Sequence, residues 1–341
     1  MQGELKNHKI VLNSRPVGMP LAENFRLEES MIIQPGEGEV LMRVHYLSLD
    51  PYMRRRMDDR ASYAPPVGLG DVMVGGTVGE VITSRHPSFK EGDMVEGMGG
   101  WQQYAVLKGA ALRKIDVTMA PASTALGILG MPGMTAYTGL LNIGKPQKGE
   151  TLVVAAASGA VGAAVGQIAK IKGCRVVGIA GGHLKTRYLI DELGFDAAID
   201  HRAPDFNKQL AHACPKGIDI YFENVGGFIF KAILPLLNPF ARIPVCGLIA
   251  HANDTAAPEG PDHVPDLFRS ILTKKLTVRG FIVHDFSDQA EAFYKEMGRW
   301  IKDEMIRYRE DMIDGLERAP DAFIGLLQGR NFGKLLVRME K

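Results

Sequence analysis

The chain is poor in cysteine. Its 341 residues hold three, Cys174, Cys214 and Cys246, none in a CxxC and all in the second half. That count and spacing argue against a disulfide framework. The first half has no cysteine, so it cannot supply the thiolate ligands of a catalytic or structural zinc site. An excess of one charge is also missing: 40 Lys and Arg stand against 39 Asp and Glu, for a net charge of +1. Nothing there points to nucleic acid or an anionic membrane. No apolar run is long and glycine-free enough to span a bilayer. The first nine residues lack the apolar core of a signal peptide. The expectation is a soluble, cytoplasmic protein, long enough for two domains with sizeable cores.

What is present is organised around Thr151–Gly162. Residues 151–157 are β-branched, Leu or Ala with no breaker, and read as a fully buried strand. Ser158 to Gly162 is a tight turn, and residues 163–172 have helical spacing up to the stop at Gly173. Residues 174–180 form a second buried strand, completing a βαβ unit. Aligned on G-x-G-x-x-G, the glycine positions hold Ala157, Gly159 and Gly162. Gly159 lets the backbone approach a pyrophosphate and Gly162 lets the helix pack on the strand. The N–H groups of Gly159, Ala160, Val161 and Gly162 are expected to point at phosphate from a helix N-terminus.

The end of the second strand indicates which dinucleotide fits. An NAD site places a carboxylate there for the ribose 2′-OH. Here the run is Ala180-Gly181-Gly182-His183-Leu184-Lys185, without a carboxylate. Lys185 reaches back to a 2′-phosphate and Arg187 is near, so NADP(H) is expected over NAD(H). The alternative is that both are solvated first-turn residues.

Residues 8–107 read as all-β, with short runs at 9–13, 25–33, 39–49, 74–83 and 101–107 between turn clusters, as in a small barrel or sandwich. A strand that stops at Asp50-Pro51 leaves Tyr52 on a loop, and Tyr63 lies on an irregular segment. Either phenol can donate a hydrogen bond near a cleft. Residues 122–141 turn small, apolar and Met/Gly-rich, and mark the domain boundary. From 151 strands and helices alternate, with the fifth strand expected at 242–249 and a sixth at about 276–284. That is the signature of a doubly wound parallel sheet, whose ligands lie at the C-terminal strand ends. A helix at 288–303, another at 319–328 and a terminal strand at 335–339 follow; such a strand often returns to the first domain.

Six pieces in order now carry a resemblance: Leu47-Ser-Leu-Asp-Pro-Tyr-Met-Arg54, Gly130-Met-Pro-Gly-Met-Thr-Ala-Tyr137, Ala155-Ala-Ala-Ser-Gly-Ala-Val-Gly162, Val165-Gly-Gln-Ile-Ala-Lys170, Glu223-Asn-Val-Gly-Gly227 and Gly329-Arg-Asn-Phe-Gly-Lys334. The chain resembles the zinc-independent medium-chain dehydrogenase/reductase superfamily, in the branch of prostaglandin reductases, alkenal double-bond reductases and bacterial curcumin reductases. The resemblance implies an α/β fold: a GroES-like β-barrel catalytic domain (1–125 and 306–341) and an NADP-binding Rossmann domain with a doubly wound parallel sheet (126–305), with a cleft between them. It implies that Thr135, Asn224, Cys246, Gly247, Leu248, Ile249, Phe281, Ile282, Val283 and Asn331 line the cofactor, with Gly181 and Lys185 toward the 2′-phosphate. It further implies NADPH-dependent reduction of the C=C bond of enals and enones without metal, and a homodimer. A quinone oxidoreductase of the same superfamily and a weakly catalytic NADPH-binding protein are the alternatives.

The chain also departs from that pattern. His201 stands where relatives often have Tyr near the adenosine ribose phosphate; protonated, it can still meet a phosphate. Ala252 and Thr273 occupy two further places where relatives carry Tyr. Tyr52 and Tyr63 are therefore the carbonyl-side candidates, with His284 a third.

Overall fold

The computed structural model describes residues 6–256 and 260–339. They form two compact units, Met1–Gly127 with Glu310–Lys341, and Ile128–Arg309. The first opens with an antiparallel pair, β1 (Lys6–Leu12) and β2 (Phe25–Met31). Then come β3 (Glu39–Ser48), a short helix α1 (Tyr52–Arg56), β4 (Thr77–Ser84), β5 (Met94–Gly97), β6 (Tyr104–Lys108) and β7 (Arg113–Lys114). The second unit holds α2 (Met131–Thr138), β8 (Thr151–Ala155), α3 (Ala160–Ile171), β9 (Arg175–Ala180), α4 (His183–Asp191), β10 (Ala197–Asp200) and α5 (Phe206–Ala213). It continues through β11 (Ile218–Phe222), α6 (Gly227–Ile233), β12 (Leu237–Val245), α7 (Val264–Lys274), β13 (Thr277–Gly280) and α8 (Ala290–Lys302). The chain then re-enters the first unit with β14 (Glu310–Asp314), α9 (Ala319–Leu327) and β15 (Lys334–Arg338).

In the first unit β3 is the hub. One end pairs with β6 and the other with β15, while β4 runs along it antiparallel. A seven-stranded sheet results, in the order β14-β15-β3-β4-β5-β7, with β6 on β3. Its core gathers the inward residues of alternating strands around Trp101, which stacks on Phe25 and meets Phe323 of α9 edge-on. The terminal strand does return to this unit, as β15 against β3. β5 and β14 were not anticipated; β14 reads Glu-Asp-Met-Ile-Asp, too charged to register as a strand.

The second unit is a six-stranded parallel sheet in the order β10-β9-β8-β11-β12-β13. Every residue of β8 is buried, as a central parallel strand covered on both faces requires. Small residues let α3 lie close: a Cβ at Gly166 would fall 1.9 Å from the Phe195 ring, and one at Gly162 would fall 2.4 Å from Ala156 O. The chain runs outward from β8 in both directions, so the topological switch point lies between β8 and β11. Two expected strands end earlier than read, and β12 also begins earlier, at Leu237. Beyond Val245 the Cys246 N–H makes the last ladder bond, to the Glu223 carbonyl, and the Gly247 N–H turns onto that same oxygen. β13 stops at Gly280 because the Asp285 carboxylate takes the Ile282 N–H and starts a 3₁₀ turn.

Candidate functional site

The switch point is tied together by one side chain. Asn224, just past β11, donates its amide to the Ala155 carbonyl at the end of β8, at 2.9 Å. The turn after β8 puts Ala156 at φ +51°, and the buried Ala157 donates its N–H to Ile179 O of β9. The Gly159 N–H is not available to phosphate, contrary to expectation: it closes the turn onto Ala156 O at 3.0 Å. The first-turn donors of α3 are therefore those of Ala160, Val161 and Gly162, and no side chain caps this N-terminus. Such an end accepts an anion by geometry and dipole together.

At the end of β9 three basic side chains come together, Lys185, His201 and Arg202. Lys185 lies in the first turn of α4, half-buried, after Gly181 and Gly182. Gly182 needs its freedom, at φ +91°. A Cβ at Gly181 would stand 2.8 Å from His201 Nε2 and 3.2 Å from Arg202 Nε, so both side chains lean over that glycine. Asp200 accepts the Arg202 N–H at 2.9 Å and fixes the turn that presents them. Burial, then the Arg202 charge, push the His201 imidazole below its ordinary value, with Lys185 adding to the effect and Asp200 opposing it. A ring held neutral among cations is ready to gain a proton when a dianion arrives. Arg187 takes no part: it pairs with Asp191 at 3.2 Å along the exposed face of α4. Arg202 was not singled out from sequence as a ligand. Its signal was its place at the end of β10, the strand beside β9.

On the other side of the switch point, Glu223 organises the loops. It is buried, and its Oε1 accepts from Tyr221 OH, Val225 N–H and Gly226 N–H at 3.0, 2.6 and 2.8 Å. Its Oε2 has no partner. Burial pushes this carboxyl up against those three donors. Its main-chain carbonyl holds Cys246 and Gly247, and Asn224 O and Val225 O hold the N–H groups of Ile249 and Ala250. Burial and the Glu223 charge push the Cys246 thiol up to about 12, so this sulfur stays protonated and unreactive. Leu248 and Ile249 complete the segment, with Leu248 half-exposed at 50%.

The remaining candidates fall in different places. The Thr135 hydroxyl, inside α2, donates to Met131 O at 2.7 Å. The Phe281 side chain packs edge-on against Phe222 and Phe286 and fills the space beside Gly139, and the Ile282 N–H and carbonyl are both taken by Asp285. His284 is exposed. In the first unit, Asn331 donates to Gly333 O at 2.9 Å and borders a cavity of about 300 Å³ with Asp311, Arg318 and Arg330. Tyr52 is the first residue of α1 rather than part of a loop. Burial, then the Asp50 carboxylate, push its phenol above the ordinary value, so it keeps its proton and acts as a donor. Asp50 is held in turn by Ser48 Oγ and, at 2.8 Å, by buried Lys334. Tyr63 is 62% exposed. Among the described residues no group of three His, Cys, Asp or Glu could hold a metal, and no helix is long and apolar enough to cross a membrane.

A switch-point turn with an uncapped helix and a cationic rim fits a phosphorylated dinucleotide, and a chain that carries both a sheet-rich unit and such a Rossmann unit has the make-up of a two-domain nucleotide-dependent oxidoreductase. Residues 8–115 match the N-terminal domain of oxidoreductase and residues 160–302 the zinc-binding dehydrogenase domain. The chain is 57% identical to the NADPH-dependent curcumin reductase of Escherichia coli, over 99% of this chain and 98% of that one. It is 39% identical to the NADP(+)-dependent 2-alkenal reductase of Nicotiana tabacum, over the full length of both. The crystal structure of CurA from Vibrio vulnificus in complex with NADPH superposes with a TM-score of 0.95 at 54% identity, covering 98% of this chain and 99% of that one. The chain belongs to the zinc-independent medium-chain dehydrogenase/reductase superfamily, in the branch of curcumin, alkenal and prostaglandin reductases.

Proposed function

We propose that this protein reduces the C=C bond of α,β-unsaturated aldehydes and ketones with NADPH, with enones and conjugated dienones of the curcumin type as its substrates. The observation that carries this is the phosphate cradle at the switch point. The uncapped α3 N-terminus takes the pyrophosphate, and Lys185, His201 and Arg202 surround the place of the 2′-phosphate, where no carboxylate follows β9. The names of the relatives supply the chemistry.

When bound, the dihydronicotinamide supplies a hydride to the β-carbon. The chain's own residues do the rest. The Cys246–Ile249 and Phe281–Val283 segments, with Thr135, would hold the ring, and they are themselves fixed by Glu223 and by the Phe281 packing. Tyr52, a phenol that keeps its proton, donates to the carbonyl oxygen and steadies the enolate, with Tyr63 as the second donor. The reading extends to a cytoplasmic homodimer. Three unpaired cysteines suit a reducing compartment, and the exposed edge strand β13 beside α7 suits a second copy.

The test is the rate of NADPH oxidation across enals, enones, dienones and quinones. Turnover with enones and dienones that exceeds that with simple quinones is the expected result. Quinone turnover alone would make the protein a quinone oxidoreductase, and tight NADPH binding without turnover would make it a binding protein.

A further inference from the structure

Phe228 stands where the chain leaves β11 for α6. Gly226 and Gly227 take φ of +77° and +61°, so the turn is sharp and the helix starts at the C-terminal edge of the sheet. Ile229 and Ile233 of α6 are buried in the core of this unit. Phe228 is left out of that core and is 57% exposed. A lone exposed ring is ordinary in itself. Its neighbours set this one apart. Its centroid lies 6.0 Å from that of the His201 ring, and 5.9 Å from that of Phe206, which it meets edge-on. His201 follows β10 and Phe228 follows β11, and in the sheet β9 and β8 stand between those two strands. Three strand spacings are about 14 Å. Rings that meet at 6.0 Å have therefore reached toward each other across the ends of β9 and β8. Those two ends are where the phosphates of the dinucleotide belong. The 2′-phosphate goes beside Gly181, after β9, and the pyrophosphate at the start of α3, after β8. The adenine is joined to the ribose carbon next to the one that bears the 2′-phosphate. It is thus bound to lie within a sugar's width of that phosphate, and there Phe228 offers an open aromatic face.

We propose that Phe228 is the platform for the adenine base of NADPH. Its ring takes one face of the purine by stacking, and buried Phe206 steadies it edge-on. His201, beside it, meets the phosphate on the same ribose. The proposal rests on the phosphate cradle set out above, and it concerns affinity rather than hydride transfer. Every adenine dinucleotide gains from such a platform, with or without a 2′-phosphate. Lys185, His201 and Arg202 choose between the two nucleotides; Phe228 holds what they have in common.

The test titrates wild type, Phe228→Ala and Phe228→Trp by calorimetry with NADPH, NADH and adenosine 2′,5′-bisphosphate. Thermal midpoints, expected to stay near that of wild type because the ring is exposed, show that the variants are folded. The expected result is that Phe228→Ala weakens all three ligands by the same factor, about ten-fold. Phe228→Trp, which keeps a flat aromatic face, binds them at least as tightly as wild type. Unchanged affinity of Phe228→Ala for the bisphosphate overturns the proposal. So does a loss for NADPH without one for NADH, because Phe228 would then only brace His201 toward the phosphate. A wild type that binds neither NADPH nor the bisphosphate brings down the cradle first, and this proposal with it.

Discussion

Single residues decide which nucleotide this protein takes and how it handles charge. Lys185, His201 and Arg202 come together after β9, a strand that no carboxylate follows in sequence. A charge-assisted hydrogen bond to phosphate contributes about 1.5–3 kcal/mol. Lys185→Ala should therefore weaken NADPH by roughly ten- to a hundred-fold and leave NADH within about two-fold, as measured by titrating each nucleotide. Equal losses for both would remove Lys185 from the 2′-phosphate. His201 adds a dependence on pH. Alone, its imidazole is held below its ordinary value by burial and by Arg202 and Lys185. A bound 2′-phosphate raises it again. A group more basic in the complex than in the free protein takes up a proton on binding, so affinity rises as pH falls. The NADPH-to-NADH affinity ratio should climb as pH falls toward the depressed imidazole value, below about 6.5, in wild type and flatten in His201→Gln. Tyr52 and Tyr63 separate on exposure. Tyr52 is half-buried beside Asp50, whereas Tyr63 is mostly exposed. Tyr52→Phe should lower enone turnover more than Tyr63→Phe, each with little change in NADPH affinity; kcat and the NADPH dissociation constant measured on the same preparations check this.

At the scale of elements, the sequence made the second unit legible and the first one less so. Parallel strands buried on both faces leave unbroken apolar runs, and β8 and β9 stand out for that reason. Strand ends were harder, because tertiary partners end them. The Gly247 N–H turns back onto Glu223 O, the oxygen that already takes the last ladder bond from Cys246, and that residue lies more than twenty positions away. The same limit hid the contacts of Asn224 and Glu223, which join separate strands. Lys334 shows this in the first unit. From sequence it is one basic residue before a terminal strand. In the structure it is buried, and reaches Leu49 O at 2.9 Å and Asp50 at 2.8 Å, joining β15 to the start of α1. Lys334→Met would leave the Asp50 carboxylate buried without its cation, at a cost of about 3–5 kcal/mol. The double change Lys334→Met with Asp50→Asn removes both charges and should recover much of that loss. Denaturant midpoints for the three proteins decide it; a single variant as stable as wild type would mean that the pair has little influence on folding.

At the scale of the whole molecule, the second unit carries a face that the described residues leave uncovered. None of the residues of α7 is buried, although Val264, Phe268 and Leu272 recur every four positions and are 54%, 64% and 78% exposed. Beside it, all four residues of β13 are exposed, and β13 is the last strand of the sheet. An apolar stripe next to an unpaired strand edge invites association. The partner that matches such a surface without any other protein is a second copy turned by a two-fold axis. Antiparallel pairing of β13 with its own counterpart satisfies both strands at once and brings the two α7 stripes to the same interface. On this reading the protein sediments as a homodimer. Phe268→Glu with Leu272→Glu places four carboxylates in that interface and should yield a folded monomer at micromolar concentration, read by sedimentation velocity. NADPH affinity should be preserved, since α7 packs on β12 and supplies neither the α3 N-terminus nor Lys185. A variant that stays dimeric would move the interface elsewhere, and a monomeric wild type would leave the α7 face without the occupant assigned to it here.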